Sequence, residues 1–331
     1  TGKPKGVRVG PREVFNLLNS MAREPGLNED DVLLAVTTLS FDISVLELFL
    51  PLFVGATVEV AAREEALDSI ALSQRIAESG ATVMQATPSA WRSLVESGWA
   101  GQPGLRALCG GEALTRDLAA VLLPRVHSLW NLYGPTETTV WSTCEQITDP
   151  AQPISIGRPI DNTHVYILDR HQRPVPRGVT GELHICGAGV TLGYHRRKGQ
   201  TRKRFLPDPF QAGNDDRMYR TGDLARFLPD GRIELLGRSD NQVKLRGSRI
   251  ELGEIDEALK GEPGITDAVT KVHELTPGDQ RLVAYVTLEA GSRLSVVALR
   301  KRLRQVLPDY MIPQAFETLD ALPLTPNGKV D

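Results

Sequence analysis

The segment over residues 131–137, which reads N-L-Y-G-P-T-E, combines an amide, an aromatic ring, a turn dipeptide, a hydroxyl and a carboxylate. Asn131 can read a purine edge because its side chain both donates and accepts hydrogen bonds, and the Tyr133 ring offers a face for a base to stack on. Thr136 can donate to a phosphate oxygen, and Glu137 supplies the hard oxygen ligand that Mg²⁺ prefers. The segment therefore predicts a site for a magnesium nucleoside triphosphate. Its Gly-Pro dipeptide alone would be typical of an ordinary turn.

Three further segments contain more glycine and polar residues than strands need. Residues 1–6, T-G-K-P-K-G, are similar to the end of a flexible phosphate loop that includes Lys5, although the spacing is not that of a Walker A motif. Asp223, in Y-R-T-G-D-L, lies in a tight turn that suits a ribose diol. Lys329, in N-G-K near the end of the chain, is by itself more typical of a solvated lysine.

Short β-rich runs and amphipathic segments alternate in the first part of the chain, which favours a parallel sheet flanked by helices. The predicted strands span 32–37, 57–60, 82–86, 107–109 and 128–132, and the predicted helices span 45–54, 69–79, 88–97 and 115–123. Ligands of such sheets bind beyond the carboxyl ends of the strands. We therefore expect residues 110–112 and 131–137, which follow two predicted strands, to lie at one edge of the sheet.

The pattern changes near residues 154 and 240. Alternating strands with few helices over 154–239 indicate a β-rich, barrel-like part, and the last stretch indicates a small α+β domain. The predicted fold class is therefore α/β, with a large domain over 1–239, whose sheet part is 1–153, and a small domain over 240–331.

Composition excludes several classes of protein. The 331 residues include 38 basic and 41 acidic ones, and a net charge of −3 favours neither nucleic acid nor a membrane surface as a partner. The longest apolar stretch, 48–54, is too short to span a bilayer. Cys109, Cys144 and Cys186 lack metal-ligand spacing, which predicts reduced thiols in a cytoplasmic protein without structural zinc.

In order along the chain, these segments resemble the adenylation domains of nonribosomal peptide synthetases, which share a superfamily with acyl-CoA synthetases and luciferases. The resemblance covers nearly the whole chain. It rests on the motifs at residues 1–6, 41–44 (F-D-I-S), 131–137, 181–194 (G-E-L-H-I-C-G-A-G-V-T-L-G-Y), 219–224, 237–255 (G-R-S-D-N-Q-V-K-L-R-G-S-R-I-E-L-G-E-I), 307–313 (L-P-D-Y-M-I-P) and 327–331 (N-G-K-V-D). It also implies that the chain is truncated, because it starts inside the phosphate loop without the part of the domain that precedes it.

The resemblance implies an AMP-forming ligase. An amino acid and ATP would give an aminoacyl-adenylate and pyrophosphate, and the phosphopantetheine thiol of a peptidyl carrier protein domain would then take the acyl group, with a condensation domain adjacent. It assigns catalytic roles to Lys329, Thr136, Glu137 and Lys5, and Mg²⁺ binding to Glu137. It places the nucleotide against Gly110, Gly111, Glu112, Ala113, Asn131, Tyr133, Gly134, Thr136, Asp223, Arg238 and Lys329.

The resemblance further implies a mobile C-terminal domain. Asp240 corresponds to the family's hinge, and Lys244 would approach the site in the second, thioester-forming pose. The change in composition near Asp240 supports this independently, since Lys329 then lies in the far domain and can be withdrawn between the two half-reactions.

The segment after Phe41 favours an amino acid as the acid. By the resemblance Asp42 binds the substrate's α-ammonium group, and the side-chain pocket consists of Asp42, Ile43, Leu46, Gln85, Leu108, Gly110, Leu132, Val140 and Trp141, with Lys329. Its bulky residues, Trp141 above all, leave little volume, so we expect glycine, with alanine as the nearest competitor. The alternatives are that Asp42 is an acid at a helix N-terminus and that Trp141 is an ordinary core residue.

Two other functions stay open at this point. One is an acyl-CoA or aryl-CoA ligase of the same superfamily, which Asp42 and the segment 237–255 disfavour. The other is a non-catalytic segment of a megasynthase, because a chain that lacks the first part of the domain is expected to be impaired on its own.

Overall fold

The computed structural model describes residues 5–211, 217–240, 242–245, 248–274, 280–289, 291–292 and 295–323. The chain divides into two compact units at Ser239 and Asp240. We call residues 5–239 the N-terminal unit and residues from Asp240 onwards the C-terminal unit. In the described part of the chain, no helix has both the length and the apolar character needed to cross a membrane.

Seven strands form the main sheet of the N-terminal unit: β1 (Val32–Ala35), β2 (Thr57–Val60), β3 (Val83–Ala86), β4 (Gln102–Gly110), β5 (Val126–Tyr133), β6 (Thr143–Ile147) and β7 (Arg158–Pro159). Their order is β2-β1-β3-β4-β5-β6-β7. The predicted parallel pairing is found for β1 to β5, whereas β6 and β7 are antiparallel. The link from β5 to β6 is too short for the crossover that a parallel strand would need.

Six helices accompany this sheet: α1 (Pro11–Met21), α2 (Ser44–Val54), α3 (Arg63–Leu67), α4 (Ser69–Ser79), α5 (Pro88–Glu96) and α6 (Arg116–Leu122). Two apolar cores lie on opposite faces of the sheet. Leu33 packs with residues of α1 and α2, and its neighbour Leu34 packs with residues of α4, α5 and α6, because successive strand side chains point to opposite faces. No helix was predicted for the residues that form α1. This helix begins after Gly10, which provides no capping side chain, so a common start signal is absent.

The predicted β-rich part consists of β8 (Thr163–Leu168), β9 (Gly181–Gly187), α7 (Lys198–Arg204), β10 (Phe205–Pro207), β11 (Arg217–Phe227) and β12 (Ile233–Arg238). The five strands form an antiparallel sheet in which β11 pairs with β9, β10 and β12. The pairing of β11 with β9 is irregular between Arg220 and Leu224. Thr221, Gly222 and Asp223 lie at this irregularity within the strand, so the predicted tight turn at Asp223 was wrong.

The C-terminal unit combines helices and strands, as predicted. It contains β13 (Gln242–Leu245), β14 (Ser248–Glu251), α8 (Leu252–Lys260), β15 (Ile265–Glu274), β16 (Gln280–Leu288), α9 (Val296–Leu303) and β17 (Ala315–Thr318). β13 and β14 pair antiparallel, and β15, β16 and β17 form a separate sheet. Buried residues such as Ile255, Leu282 and Leu299 give this unit a core of its own.

The three cysteines are buried free thiols, in agreement with the predicted reduced state. Burial raises the pKa of the Cys109 thiol strongly and that of Cys144 to about 12. Because the thiolate is the reactive form, we expect no reaction of the folded chain's thiols with Ellman's reagent at pH 8, and reaction of all three after unfolding in guanidinium. A rapidly reacting thiol in the folded protein would contradict this expectation.

Candidate active site

The strand that leads into the segment 131–137 ends one residue later than predicted. β5 continues through Tyr133, so Asn131 and Tyr133 belong to the strand, and the loop starts at Gly134. The loop turns back tightly, since a Cβ on Gly134 would lie 2.2 Å from the Val140 carbonyl oxygen. Thr139 and Val140 both have positive φ angles, 63° and 64°, which is strained for non-glycine residues. This strained turn determines where the next residue, Trp141, is placed.

Trp141 lies directly on the end of β4. A Cβ on Gly110 would lie 2.2 Å from Cη2 of the indole, so only glycine leaves room for the ring there. The predicted pocket residues Ile43, Leu46, Leu108, Leu132, Val140 and Trp141 all belong to one buried cluster on this face of the sheet. The tertiary structure thus brings residues from separate strands, a helix and a loop into one small apolar region.

Glu47 is a buried residue of this region that the sequence reasoning missed. Its carboxylate accepts hydrogen bonds from the backbone N–H groups of Val36 and Thr37, both at 2.9 Å, and from Nε2 of Gln85 at 3.0 Å. Burial raises the pKa of Glu47, while these donors oppose that rise. A sequence signal was present, since Glu47 is the single charged residue in the apolar helix S-V-L-E-L-F-L-P-L-F-V.

Asp42 lies just before α2 and accepts a hydrogen bond from the Thr136 hydroxyl. The two residues are 94 positions apart in sequence, and both are partly buried. This contact joins the predicted amino-acid anchor to the predicted phosphate contact.

A second cluster of polar side chains lies where the main sheet and the antiparallel sheet of the N-terminal unit contact each other. The Tyr133 hydroxyl donates to Asp223 at 2.5 Å, and Arg238 forms an ion pair with the other oxygen of the same carboxylate. Burial, followed by the nearby Asp223 charge, raises the pKa of Tyr133, so its hydroxyl stays protonated and can donate. Tyr133, Asp223 and Arg238, which are all predicted nucleotide-binding residues, are therefore in direct contact.

Glu137 is also buried, and its carboxylate accepts a hydrogen bond of 2.6 Å from the Tyr194 hydroxyl. Tyr194 is the last residue of the motif at 181–194, and no role was predicted for it. Burial first, and the Glu137 charge second, raise the pKa of the Tyr194 hydroxyl far above its usual range. The Tyr194 hydroxyl therefore stays protonated, donates a hydrogen bond to the Glu137 carboxylate and orients it.

Two predicted adenine contacts have side chains bound to the protein itself. The Asn131 amide donates to the Ser155 carbonyl at 2.7 Å. The Glu112 carboxylate accepts from the backbone N–H and the hydroxyl of Ser89, at 3.0 and 2.6 Å, near the start of α5. Both contacts fix loops around the ends of the strands, and a role toward adenine stays a prediction for both residues.

Three lysines were predicted to act at the site or to approach it. Lys5 is partly buried at the beginning of the described residues. Lys329 and the side chain of Lys244 lie outside the described part of the chain, whereas Asp240 is described and begins the C-terminal unit. Their roles stay predictions.

Family comparisons cover both units. The AMP-binding enzyme family matches residues 1–195, and the AMP-binding enzyme C-terminal domain matches residues 254–329. Among curated proteins, the chain is 48% identical to the dimodular nonribosomal peptide synthase of Bacillus subtilis (strain 168) and 43% identical to tyrocidine synthase 3 of Brevibacillus parabrevis. Each match covers 100% of this chain, but only 14% and 5% of those relatives.

Solved structures agree with this assignment. The chain is 48% identical to holo-AB3403, a four-domain nonribosomal peptide synthetase bound to AMP and glycine, with a TM-score of 0.70 over 100% of this chain and 25% of that one. Holo-PA1221, a nonribosomal peptide synthetase protein with adenylation and PCP domains, matches with 33% identity and a TM-score of 0.88 over 100% of this chain and 57% of that one. The chain therefore belongs to the AMP-binding enzyme family, and it is similar over its whole length to parts of nonribosomal peptide synthetases.

Proposed function

We propose that this chain contributes to amino-acid adenylation and that the preferred amino acid is glycine. The substrate carboxylate would attack the α-phosphorus of ATP and displace pyrophosphate, which gives aminoacyl-AMP. The observation that carries the proposal is the buried apolar cluster in which Trp141 packs directly against Gly110, with Asp42 just before the helix that contributes Leu46 to it. A ring in this position leaves little room for a substrate side chain.

The anchor for the amino acid is the Asp42 carboxylate. A substrate α-ammonium group would pair with this charge, and an amino acid without a side chain would fit beneath Trp141. The Thr136 hydroxyl, already bound to Asp42, would hold this anchor next to the phosphates. The 48% identity to AB3403, which is bound to AMP and glycine, supports glycine.

The nucleotide would bind along the loop that follows β5. The Asp223 carboxylate, held by Tyr133 and Arg238, would accept hydrogen bonds from the ribose hydroxyls. A carboxylate can accept several hydrogen bonds, so these two protein contacts leave capacity for a diol.

Glu137 suits Mg²⁺, because this ion is usually bound by one or two carboxylates together with phosphate oxygens. The Tyr194 hydrogen bond would keep this carboxylate oriented. When bound, Mg²⁺ would neutralise phosphate charge. Lys5 and Lys329 would add positive charge near the same groups, and no side-chain nucleophile is required.

The second half-reaction would transfer the acyl group to a carrier protein. Its phosphopantetheine thiol would attack the acyl carbonyl and release AMP. The division of the chain at Asp240 supports a hinge there, through which Lys329 would be withdrawn and Lys244 brought to the site. PA1221, which has adenylation and PCP domains, supports a carrier protein as partner, and a condensation domain is a further proposed neighbour.

A panel of amino acids in an ATP–pyrophosphate exchange assay tests this function on the full-length gene product. We expect exchange to be fastest with glycine and slower with alanine by about tenfold or more, because the methyl group of alanine would clash with Trp141. Attraction alone could not give this order, since one methylene contributes only about 1–3 kcal/mol of discrimination in an apolar pocket. A preference for a large side chain would refute the glycine assignment. Exchange with none of the amino acids, but CoA-dependent consumption of an acyl-adenylate, would refute amino-acid activation itself.

A further inference from the structure

Glu47, Gln85 and Trp141 form one continuous chain of hydrogen bonds beside the buried cluster that contains the predicted pocket residues. Nε2 of Gln85 donates to the Glu47 carboxylate at 3.0 Å, and Nε1 of Trp141 donates to Oε1 of Gln85 at 2.8 Å. The exposed fractions of Glu47 and Gln85 are 0%, and that of Trp141 is 1%. Water therefore cannot replace any of these partners.

The chemistry of the neighbours fixes the orientation of the Gln85 amide. Its two N–H donors face the Ile43 carbonyl oxygen at 3.2 Å and the Glu47 carboxylate, both of which accept. Its carbonyl oxygen faces the indole N–H of Trp141, which can only donate. One flip of this amide would place donors against a donor.

The edge of the indole opposite Nε1 is also held in place by close packing. The ring packs on Gly110 so closely that a Cβ there would overlap Cη2. The indole is thus fixed at one end by Gln85 and at the other by the end of β4. A small displacement of Gln85 would tilt the ring and change the room above Gly110.

We propose that Glu47 is a positioning residue for substrate selection: its carboxylate holds the Gln85 amide in the one orientation that tethers Trp141 as the wall of the pocket. This inference rests on the proposed function only for the identity of the substrate, because the tether itself is a property of the protein. Glu47 contacts no substrate and acts through Gln85.

The isosteric change Glu47→Gln removes an acceptor without removing volume. If the new amide nitrogen faces Gln85, two donors meet, and Gln85 must move or flip away from Trp141. The Thr37 hydroxyl donates to the same oxygen as Gln85 and can turn to accept from the new nitrogen, so Gln85 is the donor in conflict in this orientation. In the opposite orientation, the new nitrogen faces the backbone N–H groups of Val36 and Thr37, neither of which can accept, so that orientation is worse. Buried donors without acceptors are costly, so the conflict should be relieved at the Gln85 side chain.

The experiment compares Glu47→Gln with the unaltered full-length gene product in two measurements. The first is the ratio of kcat/KM for glycine to that for alanine in pyrophosphate exchange, which we expect to fall by about tenfold. The second is the indole N–H resonance of Trp141 in ¹⁵N-tryptophan-labelled protein, assigned as the signal lost in Trp141→Phe. We expect an upfield shift, since a hydrogen-bonded N–H becomes free.

Two further variants serve as controls. Glu65→Gln makes the same change at an exposed carboxylate that accepts the Ala62 N–H, and it should leave both readouts unchanged. In a Trp141→Phe background there is no indole N–H to satisfy, so Glu47→Gln should cause no further loss of selectivity.

An unchanged ratio together with an unshifted resonance in folded Glu47→Gln protein would overturn the proposal. If Glu47→Gln does not fold, Trp141→Phe keeps the proposal falsifiable, because an unchanged ratio without the indole N–H would show that a hydrogen bond to Trp141 does not affect selectivity and would overturn the proposal. A failure of the glycine assignment is distinguishable, since it would appear in the unaltered protein as another preferred amino acid and leave the expected resonance shift intact.

Discussion

Replacement of Asp42 by asparagine should lower kcat/KM for glycine-dependent pyrophosphate exchange by about two to three orders of magnitude. The substitution keeps the shape and an oxygen that can accept from Thr136, but it removes the charge opposite the substrate's α-ammonium group. Loss of one partner of a desolvated charge pair costs about 2–5 kcal/mol, and about 1.4 kcal/mol corresponds to a factor of ten. Steady-state exchange kinetics over a range of glycine concentrations measure the effect.

Asp117→Asn is the matched control for this prediction. Asp117 is a surface residue of α6 that pairs with Arg92, so its change should leave glycine activation unaltered. Glycolate, which has a hydroxyl in place of the ammonium group, provides a second control, because its poor activation should be nearly equal in the unaltered protein and in the Asp42→Asn variant. Glycine kinetics within a factor of about three of the unaltered protein would show that Asp42 is only an acid near a helix N-terminus.

Replacement of Trp141 by alanine should change both stability and substrate order. Truncation of a fully buried tryptophan costs about 3–5 kcal/mol of unfolding free energy. The space vacated above Gly110 should admit larger side chains, so we expect the preference for glycine over alanine and 2-aminobutyrate to be lost or reversed. Denaturant unfolding and the pyrophosphate-exchange panel measure the two effects.

Trp99→Ala separates these two effects. Trp99 is also a buried tryptophan, but it belongs to the core on the opposite face of the sheet. Its truncation should therefore destabilise the protein and leave the order of amino acids unchanged. If Trp141→Ala were destabilised without any change in that order, Trp141 would be a core residue and not a pocket wall.

The order of the elements was predictable from the sequence because their signals are local. The helix over 69–79 was predicted with the bounds found for α4, whose first turn is capped by Asp68 and which ends at Gly80 in a left-handed conformation. Strand ends were less accurate, since β4 and β5 extend beyond their predicted bounds, and α1 was missed. The β-propensity of single residues predicts strand ends poorly, because pairing with a neighbouring strand decides how far a strand extends.

The sequence by itself determined the order of the motifs, the α/β pattern and the residue types suited to a nucleotide and an amino acid, because these features depend on neighbours along the chain. The tertiary structure alone decided which groups meet. Asp42 with Thr136, Tyr133 with Asp223, and Glu47 with Gln85 and Trp141 are contacts between distant segments, joined where strands end and loops turn back. The physical reason is that a buried polar group must find a partner, and burial and partnership both arise only when the sheet and its helices close around it.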